Sequence, residues 1–392
     1  MHIGLIGTRG VPARYGGFET AIEEVGSRLA DAGHRVTVFC RHGDPAQREH
    51  KGMELVHLPA VRRRSLETLS HTALSLLHPV MGSLDCAIVF NAANAPLLPL
   101  IRARRIPVAT HVDGLEWRRA KWGPTGRRYY QRAEALAVRW SDALIADAQG
   151  IADYYRIEFG ADTRLIAYGA PILAEPGADR LATLGLEPGE YHLVVARFER
   201  ENHVLEIVRG YAASSARRPL VVVGSAPYSD DYTNAVHAAA DDRVQFLGGV
   251  WDQIQLDQLY GNALTYLHGH SVGGTNPSLL RAGGAGAPVI AFDVPFNREV
   301  VDGDGEFFAG SEAVARLVEQ AEADVDATVA RGHRLRERIG RYDWDVVADE
   351  YEALCRDLAE GRLRGKRPSG RRLLSPDELE RAFPSRPHPE PV

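Results

Sequence analysis

The sequence predicts an α/β protein of two doubly wound, Rossmann-like domains in tandem, facing a shared cleft. Three observations carry that expectation. Short Val/Ile/Leu/Ala runs alternate with helix-period patterns, as in a parallel sheet covered on both faces. The alternation breaks in a Pro/Gly/Glu-rich stretch over 169–189 and then restarts. Each half carries a glycine-rich turn where an apolar run gives way to a helix pattern, Gly7 to Gly17 in the first and Gly273-Gly274-Thr275-Asn276-Pro277-Ser278 in the second.

In order, strands are expected at 2–6, 35–40, 54–58, 86–90, 106–111, 142–147 and 163–167. Helices are expected at 18–32, 66–78, 95–104, 126–140 and 149–159. After the break come strands at 192–196, 219–224, 243–247, 264–268 and 288–292, with a late helix over 343–360. The domains then run 1–174 and 175–342, the late helix packs back on the first domain, and 361–392 forms a basic, flexible tail. In that tail Ser375, Pro376 and Glu378 spell a short capped helix, with Leu374 and Leu379 placed as a staple.

The net charge of −6 is unevenly spread. Residues 1–174 hold 22 basic against 17 acidic side chains, 175–360 hold 16 against 31, and the tail 8 against 4. A basic half beside an acidic one predicts an anionic partner for the former. No nucleic-acid motif is present, so a membrane surface or a diphosphate-linked acceptor is expected, and no nucleic acid. No apolar run reaches the ~20 residues of a membrane span, and the chain enters its first strand without a signal-peptide pattern. Cys40, Cys86 and Cys355 sit in apolar segments without metal-ligand spacing and read as core residues of a reducing compartment.

A dinucleotide site is a poor fit. The first loop lacks the Gly-x-Gly-x-x-Gly spacing, and strand 35–40 runs into Arg41 where a ribose-binding acid belongs. In the second loop Asn276 is a good N-cap and Pro277 a good first helical residue, so backbone N–H groups over 274–279 form an anion site. Arg197 follows strand 192–196 at the ligand-binding edge and can grip a diphosphate bidentately. Residues 175–342 hold no lysine, so phosphate charge falls to arginine, histidine and backbone.

These blocks in order resemble glycosyltransferases of the GT-B fold, in the retaining GT4 family, and within it the bacterial β-1,4-rhamnosyltransferases of capsule and cell-wall assembly. The resemblance rests on Gly7-Thr8-Arg9-Gly10-Val11-Pro12, Tyr15-Gly16-Gly17-Phe18-Glu19-Thr20, Val112-Asp113-Gly114-Leu115-Glu116-Trp117, Ala196-Arg197-Phe198-Glu199-Arg200-Glu201-Asn202, His268 through Ser278, and Phe296-Asn297-Arg298-Glu299. It implies a nucleotide-sugar substrate, dTDP-L-rhamnose, in the second domain. It also implies a lipid-diphosphate-linked glycan acceptor on the first, no cofactor and no metal, and a cytoplasmic enzyme peripheral to the inner membrane face.

By matching positions, Arg197 binds the diphosphate with Gly274, Thr275, Asn276 and Ser278, and His203 stands where many relatives carry a phosphate-binding lysine. Gly16 and Gly17 let the first loop approach the donor, and Glu19 is a candidate sugar contact or a helix-start carboxylate. Asp113 is the favoured acceptor base or hydroxyl-orienting group, with His111 the alternative. Glu201 and Asn202 join the substrate set, and Glu299 joins Asp113 and Arg197 as catalytic candidates, sharing a ribose or sugar role with Asn297. The paired glutamates of many relatives are replaced here by Gly273 and Arg281. Arg281 either meets the diphosphate or marks an altered nucleotide preference. Trp117 and Trp122 either stack on sugar or pack in the core.

Arg62-Arg63-Arg64 before an apolar helix pattern suits interfacial docking to anionic lipid. A nucleotide-sugar 2-epimerase, or a non-catalytic nucleotide-sugar-binding subunit, are the alternatives on the same architecture.

Overall fold

The computed structural model describes the chain apart from residues 14–16, 42–43, 62–65, 113–114, 119–121, 225–229, 273, 364–367 and 384–392. It divides into two compact units, Met1–Gly169 with the stretch from Trp344, and Ala170–Asp343.

The first unit is built on β1 (His2–Ile6), α1 (Gly17–Asp31), β2 (Arg35–Cys40), β3 (Glu49–His50), β4 (Met53–His57), α2 (Glu67–Leu77), β5 (Cys86–Phe90), α3 (Leu98–Ala103), β6 (Val108–His111), α4 (Pro124–Trp140), β7 (Ala143–Ala146), α5 (Gln149–Phe159) and β8 (Arg164–Leu165). Its sheet runs β3-β4-β2-β1-β5-β6-β7-β8, with only β3 antiparallel to its neighbour. β1 and β5 are buried along their whole length, which is why they read as unbroken apolar runs. Ile3 pairs with Val36 on one side and Cys86 on the other. Strand order therefore reverses beside β1, and the loops after β1 and β5 leave the sheet at the switch point where such folds bind ligands.

The second unit contains β9 (His192–Val195), α6 (Val204–Ala213), β10 (Leu220–Val223), α7 (Asp230–Ala238), β11 (Val244–Gly248), α8 (Gln253–Gly261), β12 (Thr265–His268), α9 (Pro277–Gly284), β13 (Val289–Phe292), α10 (Pro295–Val301), β14 (Gly305–Phe308), α11 (Ser311–Ala323) and α12 (Val325–Ile339). Its parallel sheet runs β11-β10-β9-β12-β13-β14, so the switch lies between β9 and β12. One core packs α6 and α11 over these strands through Ile207, Val208, Tyr211, Val314 and Val318. Residues 170–174, placed with the first half by composition, belong here. Ala170 N–H donates to Tyr342 O at 2.8 Å and Leu173 N–H to Gly284 O at 2.9 Å.

The first unit also takes α13 (Trp344–Ala359) and α14 (Pro376–Ala382). Helix α13 packs on α1, where Arg28 Nε meets Asp345 at 2.6 Å and His34 meets Glu352 at 3.0 Å. All three cysteines are buried thiols.

The expectation of a flexible tail from 361 onward is corrected for residues 368–383. Arg372 enters a cluster of buried acids, 2.7 Å from Glu134 and 2.8 Å from Glu158, and also bonds Tyr154 and Gln131 O. Glu134 and Glu158 are carboxylates without solvent, and a cation from the tail answers them. Gly370 is required by this docking, since a Cβ there would lie 2.2 Å from Ala135 O. The Ser375/Glu378 capping box forms in full. Arg118 then holds the far end of α14 through Glu380 and the Phe383 carbonyl.

Candidate functional site

In the second unit, Arg197 leaves the carboxyl edge of β9 with its side chain half exposed and 3.2 Å from Glu199. The loop after it is stitched to the loop after β12. Asn202 donates its amide to Arg197 O at 2.8 Å, so its carbonyl oxygen is the acceptor for His270 Nδ1–H at 3.0 Å. Ser271 donates both N–H and hydroxyl to Glu201 O. Gly269 permits the approach, because a Cβ there would stand 2.0 Å from Asn202 O. Asn297, fully buried at the start of α10, donates to His270 O at 2.9 Å and Phe292 O at 2.8 Å. Asn202 and Asn297 thus position the two loops, and the ribose role considered for Asn297 does not fit a side chain whose NH2 bonds two backbone carbonyls and whose Oδ1 is shut off from solvent.

The start of α9 has the expected form, with Asn276 as N-cap accepting from Ser278 N–H at 2.9 Å and Pro277 in the first turn. That geometry narrows the anion site. The 278 amide is used by the cap, and those of 279 and 280 by Asn276 O. The helix dipole remains to face an anion.

Two assignments are corrected here. His203 is buried, with a φ of 47°, its ring 3.8 Å edge-on to Phe292 and Nδ1 3.2 Å from Arg200 O. Burial holds its pKa down at about 4. It is neutral at neutral pH and brings no phosphate-binding charge. Arg281 is closed on Asp257 of α8 by two bonds, Nε–Oδ1 at 2.5 Å and Nη2–Oδ2 at 2.9 Å. It braces α9 against α8, so its charge is neutralised within the unit and does not meet a diphosphate. Glu299 lies half-buried on α10, its main-chain oxygen accepting from Arg341 at 2.6 Å.

In the first unit the loop after β1 turns through Gly7 (φ 102°) and Gly10 (φ 96°). Side chains are excluded at both, since a Cβ would meet Phe90 O at 2.5 Å or Cys40 Sγ at 2.4 Å. Glu19, in the first turn of α1, accepts from Arg9 N–H at 3.1 Å. That bond ties the first turn of α1 to the glycine loop and engages one carboxylate oxygen. Gly17 opens α1, while Gly16 and Asp113 lie outside the described residues, as does Gly273.

His111 ends β6 and is almost wholly buried. It stacks on Phe90 at 5.6 Å, with Phe18 edge-on at 5.1 Å and Tyr168 at 5.8 Å. This aromatic box lowers its pKa to about 3 by desolvation. His111 is therefore a neutral imidazole. Trp122 is packed rather than open, donating to Glu116 at 3.2 Å with its ring 4.9 Å from Tyr130. Trp117 lies under the Arg118 guanidinium at 5.1 Å.

Sequence reasoning missed the aromatic box and the Asn202–His270 link. Phe18, Phe90 and Tyr168 are far apart in the chain, and no spacing rule joins them. Among the described residues no group of three His, Cys, Asp or Glu side chains is arranged to hold a metal ion. No described helix is long and apolar enough to cross a membrane.

Comparison with known proteins agrees with this architecture. Residues 16–171 match the glycosyl transferase 4-like domain, and residues 190–324 match the glycosyl transferases group 1 domain. Both halves match glycosyltransferase domains, and the architecture is that of GT-B glycosyltransferases.

Solved structures share the fold. Sucrose-phosphate synthase from Thermosynechococcus elongatus aligns with a TM-score of 0.79 at 21% identity, covering 92% of this chain and 99% of that one. HepE of Anabaena, in complex with UDP, aligns at 0.73 and 17% identity, covering 91% and 100%. The UDP-forming trehalose-phosphate synthase of Burkholderia xenovorans aligns at 0.66 and 12%, covering 91% and 100%. No curated protein sequence matches the chain.

Proposed function

We propose that this glycosyltransferase moves L-rhamnose from dTDP-L-rhamnose to a lipid-diphosphate-linked glycan, with retention of configuration and without a metal ion. The observation that carries the reading is the joining of the loop after β9, which carries Arg197, to the loop after β12, which leads on to α9, through Asn202 and His270. A guanidinium on the first loop and a helix N-terminus following the second are the groups that would supply positive charge where a departing diphosphate gains negative charge. The C1–O bond to the diphosphate breaks as the acceptor hydroxyl attacks from the same face. Its proton passes to the leaving phosphate oxygen, so the charges balance without an external base. The complex of HepE with UDP-glucose supports a nucleotide sugar in this kind of unit.

Membrane association is supported by α2, which exposes Leu66, Leu74 and Leu77 directly after the Arg62-Arg63-Arg64 run. The test is turnover of dTDP-L-rhamnose against UDP-glucose and GDP-mannose, with a short lipid-diphosphate glycan as acceptor. Product from dTDP-L-rhamnose with the anomeric configuration kept supports the reading. Preference for another donor, or inversion, overturns the corresponding part.

A further inference from the structure

Arg41 is the first residue beyond the carboxyl edge of β2, and its N–H donates to Arg9 O at 3.1 Å, in the glycine loop that leaves β1. It therefore stands at the ligand-binding edge of the first sheet, next to the switch strand. Its guanidinium is half-buried. Nη1 donates to the Thr68 hydroxyl of α2 at 2.7 Å, while Nε is shielded from water and has no partner. Among the described residues no carboxylate pairs with it. Burial presses its pKa downward against the opposing charge of Glu67, with smaller effects of Arg9 downward and Glu19 upward. A permanently charged group with an unmet buried donor is costly unless an anion completes it.

The helix that meets Arg41 buries polar residues and exposes leucines. His71, Thr72 and Ser75 are buried beside Leu76, whereas Leu74 and Leu77, with Leu66 just before the helix, face solvent, Leu77 with 68% of its surface exposed. A helix that only covers a sheet would do the reverse. Polar residues inside and leucines outside suit an amphiphile whose anionic group enters beside Arg41 and whose hydrocarbon follows the outer face.

We propose that Arg41 and Thr68 bind the phosphate oxygens of a lipid-borne acceptor, with Leu74 and Leu77 meeting its hydrocarbon. The proposal rests on the reading that the first unit receives the acceptor. It assigns the recognised chemistry to the acceptor's phosphate, separately from the donor diphosphate at Arg197. A bidentate guanidinium matches a phosphate better than a sugar hydroxyl.

The test uses the full chain with its donor site saturated by dTDP, so that phosphate probes report a second site. Inorganic pyrophosphate and farnesyl diphosphate are titrated by calorimetry. Farnesyl diphosphate is expected to bind more tightly than pyrophosphate. Arg41→Gln is expected to weaken both by about 10- to 100-fold, the range of a lost hydrogen bond to a charged group. Arg41→Lys should restore part of the loss. Thr68→Val should weaken both several-fold and stands as the second variant if Arg41→Gln does not fold. Leu77→Asp should weaken farnesyl diphosphate alone.

Unchanged affinity for both probes in Arg41→Gln and Thr68→Val overturns the site. Equal affinity for the two probes, with no effect of Leu77→Asp, overturns its lipid character and indicates a soluble phosphate. Binding of dTDP itself is measured first. Its failure in the wild-type protein counts against the proposed transfer activity and leaves the Arg41 result to be judged by the probes.

Discussion

Arg281 and Asp257 form a two-point ion pair, with Nε–Oδ1 at 2.5 Å and Nη2–Oδ2 at 2.9 Å, joining α9 to α8. Both side chains are mostly shielded, so removing one partner leaves a buried charge. Arg281→Ala and Asp257→Asn should each destabilise the protein by about 2–4 kcal/mol, with similar losses. Donor affinity in the folded variants should change less than 3-fold. Chemical denaturation and dTDP titration check this. A large loss of donor affinity in Arg281→Ala, absent from Asp257→Asn, would restore a ligand role for the arginine.

Arg197 differs from Arg281 in being half exposed at the edge of β9. Arg197→Ala should lower the transfer rate by about 100- to 1000-fold, the cost of losing one fixed charge-stabilising donor. The melting temperature should shift by no more than about 2 °C. Arg197→Lys should recover little, because a point charge does not reproduce a bidentate fork. Steady-state kinetics at saturating donor separates a rate effect from a binding effect.

Gly269 tests the stitching of the two loops. A Cβ at this position would meet Asn202 O at 2.0 Å and Ile207 Cδ1 at 3.2 Å. Gly269→Ala should push the loops apart and loosen the Asn202–His270 bond. Transfer should then fall by about 10-fold or more through misplacement of Arg197. Asn202→Ala should give a related loss without the steric clash. If both variants keep wild-type kinetics, the network does not position the site.

Much of the fold was legible because buried parallel strands are continuous apolar runs. His2–Ile6, Arg35–Cys40 and Cys86–Phe90 lie where the sequence placed strands. The strands missed were Glu49–His50, too short for any period, and Gly305–Phe308, which is mixed and half-buried. At the site, Asn276 and Pro277 announced their helix start through local chemistry. The roles of His203 and Arg281 were not legible, because partners distant in sequence decide them. Phe292 buries one and Asp257 neutralises the other.

Burial also sets a pH dependence. His203 is held at about 4, and His111 and His268 at about 3, all by desolvation. Their unfolded value is about 6.5, so the unfolded chain binds more protons below that pH. Their contribution to stability is present above 6.5 and falls as pH drops toward 3–4. Glu134 acts in the opposite sense, since burial raises its pKa to about 7. The comparison of wild type with His203→Gln isolates one histidine. Between pH 7 and pH 5 the wild-type protein should lose about 2 kcal/mol more than the variant. Denaturant melts at the two pH values provide the measurement, and parallel losses would show His203 to be protonated in the fold.

Arg372 secures the C-terminal segment by answering two acids that the first unit buries. Glu134 and Glu158 come from α4 and α5, and both are essentially without solvent. Arg372→Met removes the cation but leaves the carboxylates, so it should destabilise the protein by about 3–5 kcal/mol. Neutralising the acids as well, in Arg372→Met with Glu134→Gln and Glu158→Gln, should recover part of that loss. The triple variant carries no acid in the cluster, whereas the single variant keeps two buried acids without their cation. A chain ending before Arg372 should resemble the single variant in denaturant, and its α14 contacts to Arg118 should be lost with it. Equal stability of the wild-type and Arg372→Met proteins would mean that 368–383 does not hold its docked position in solution.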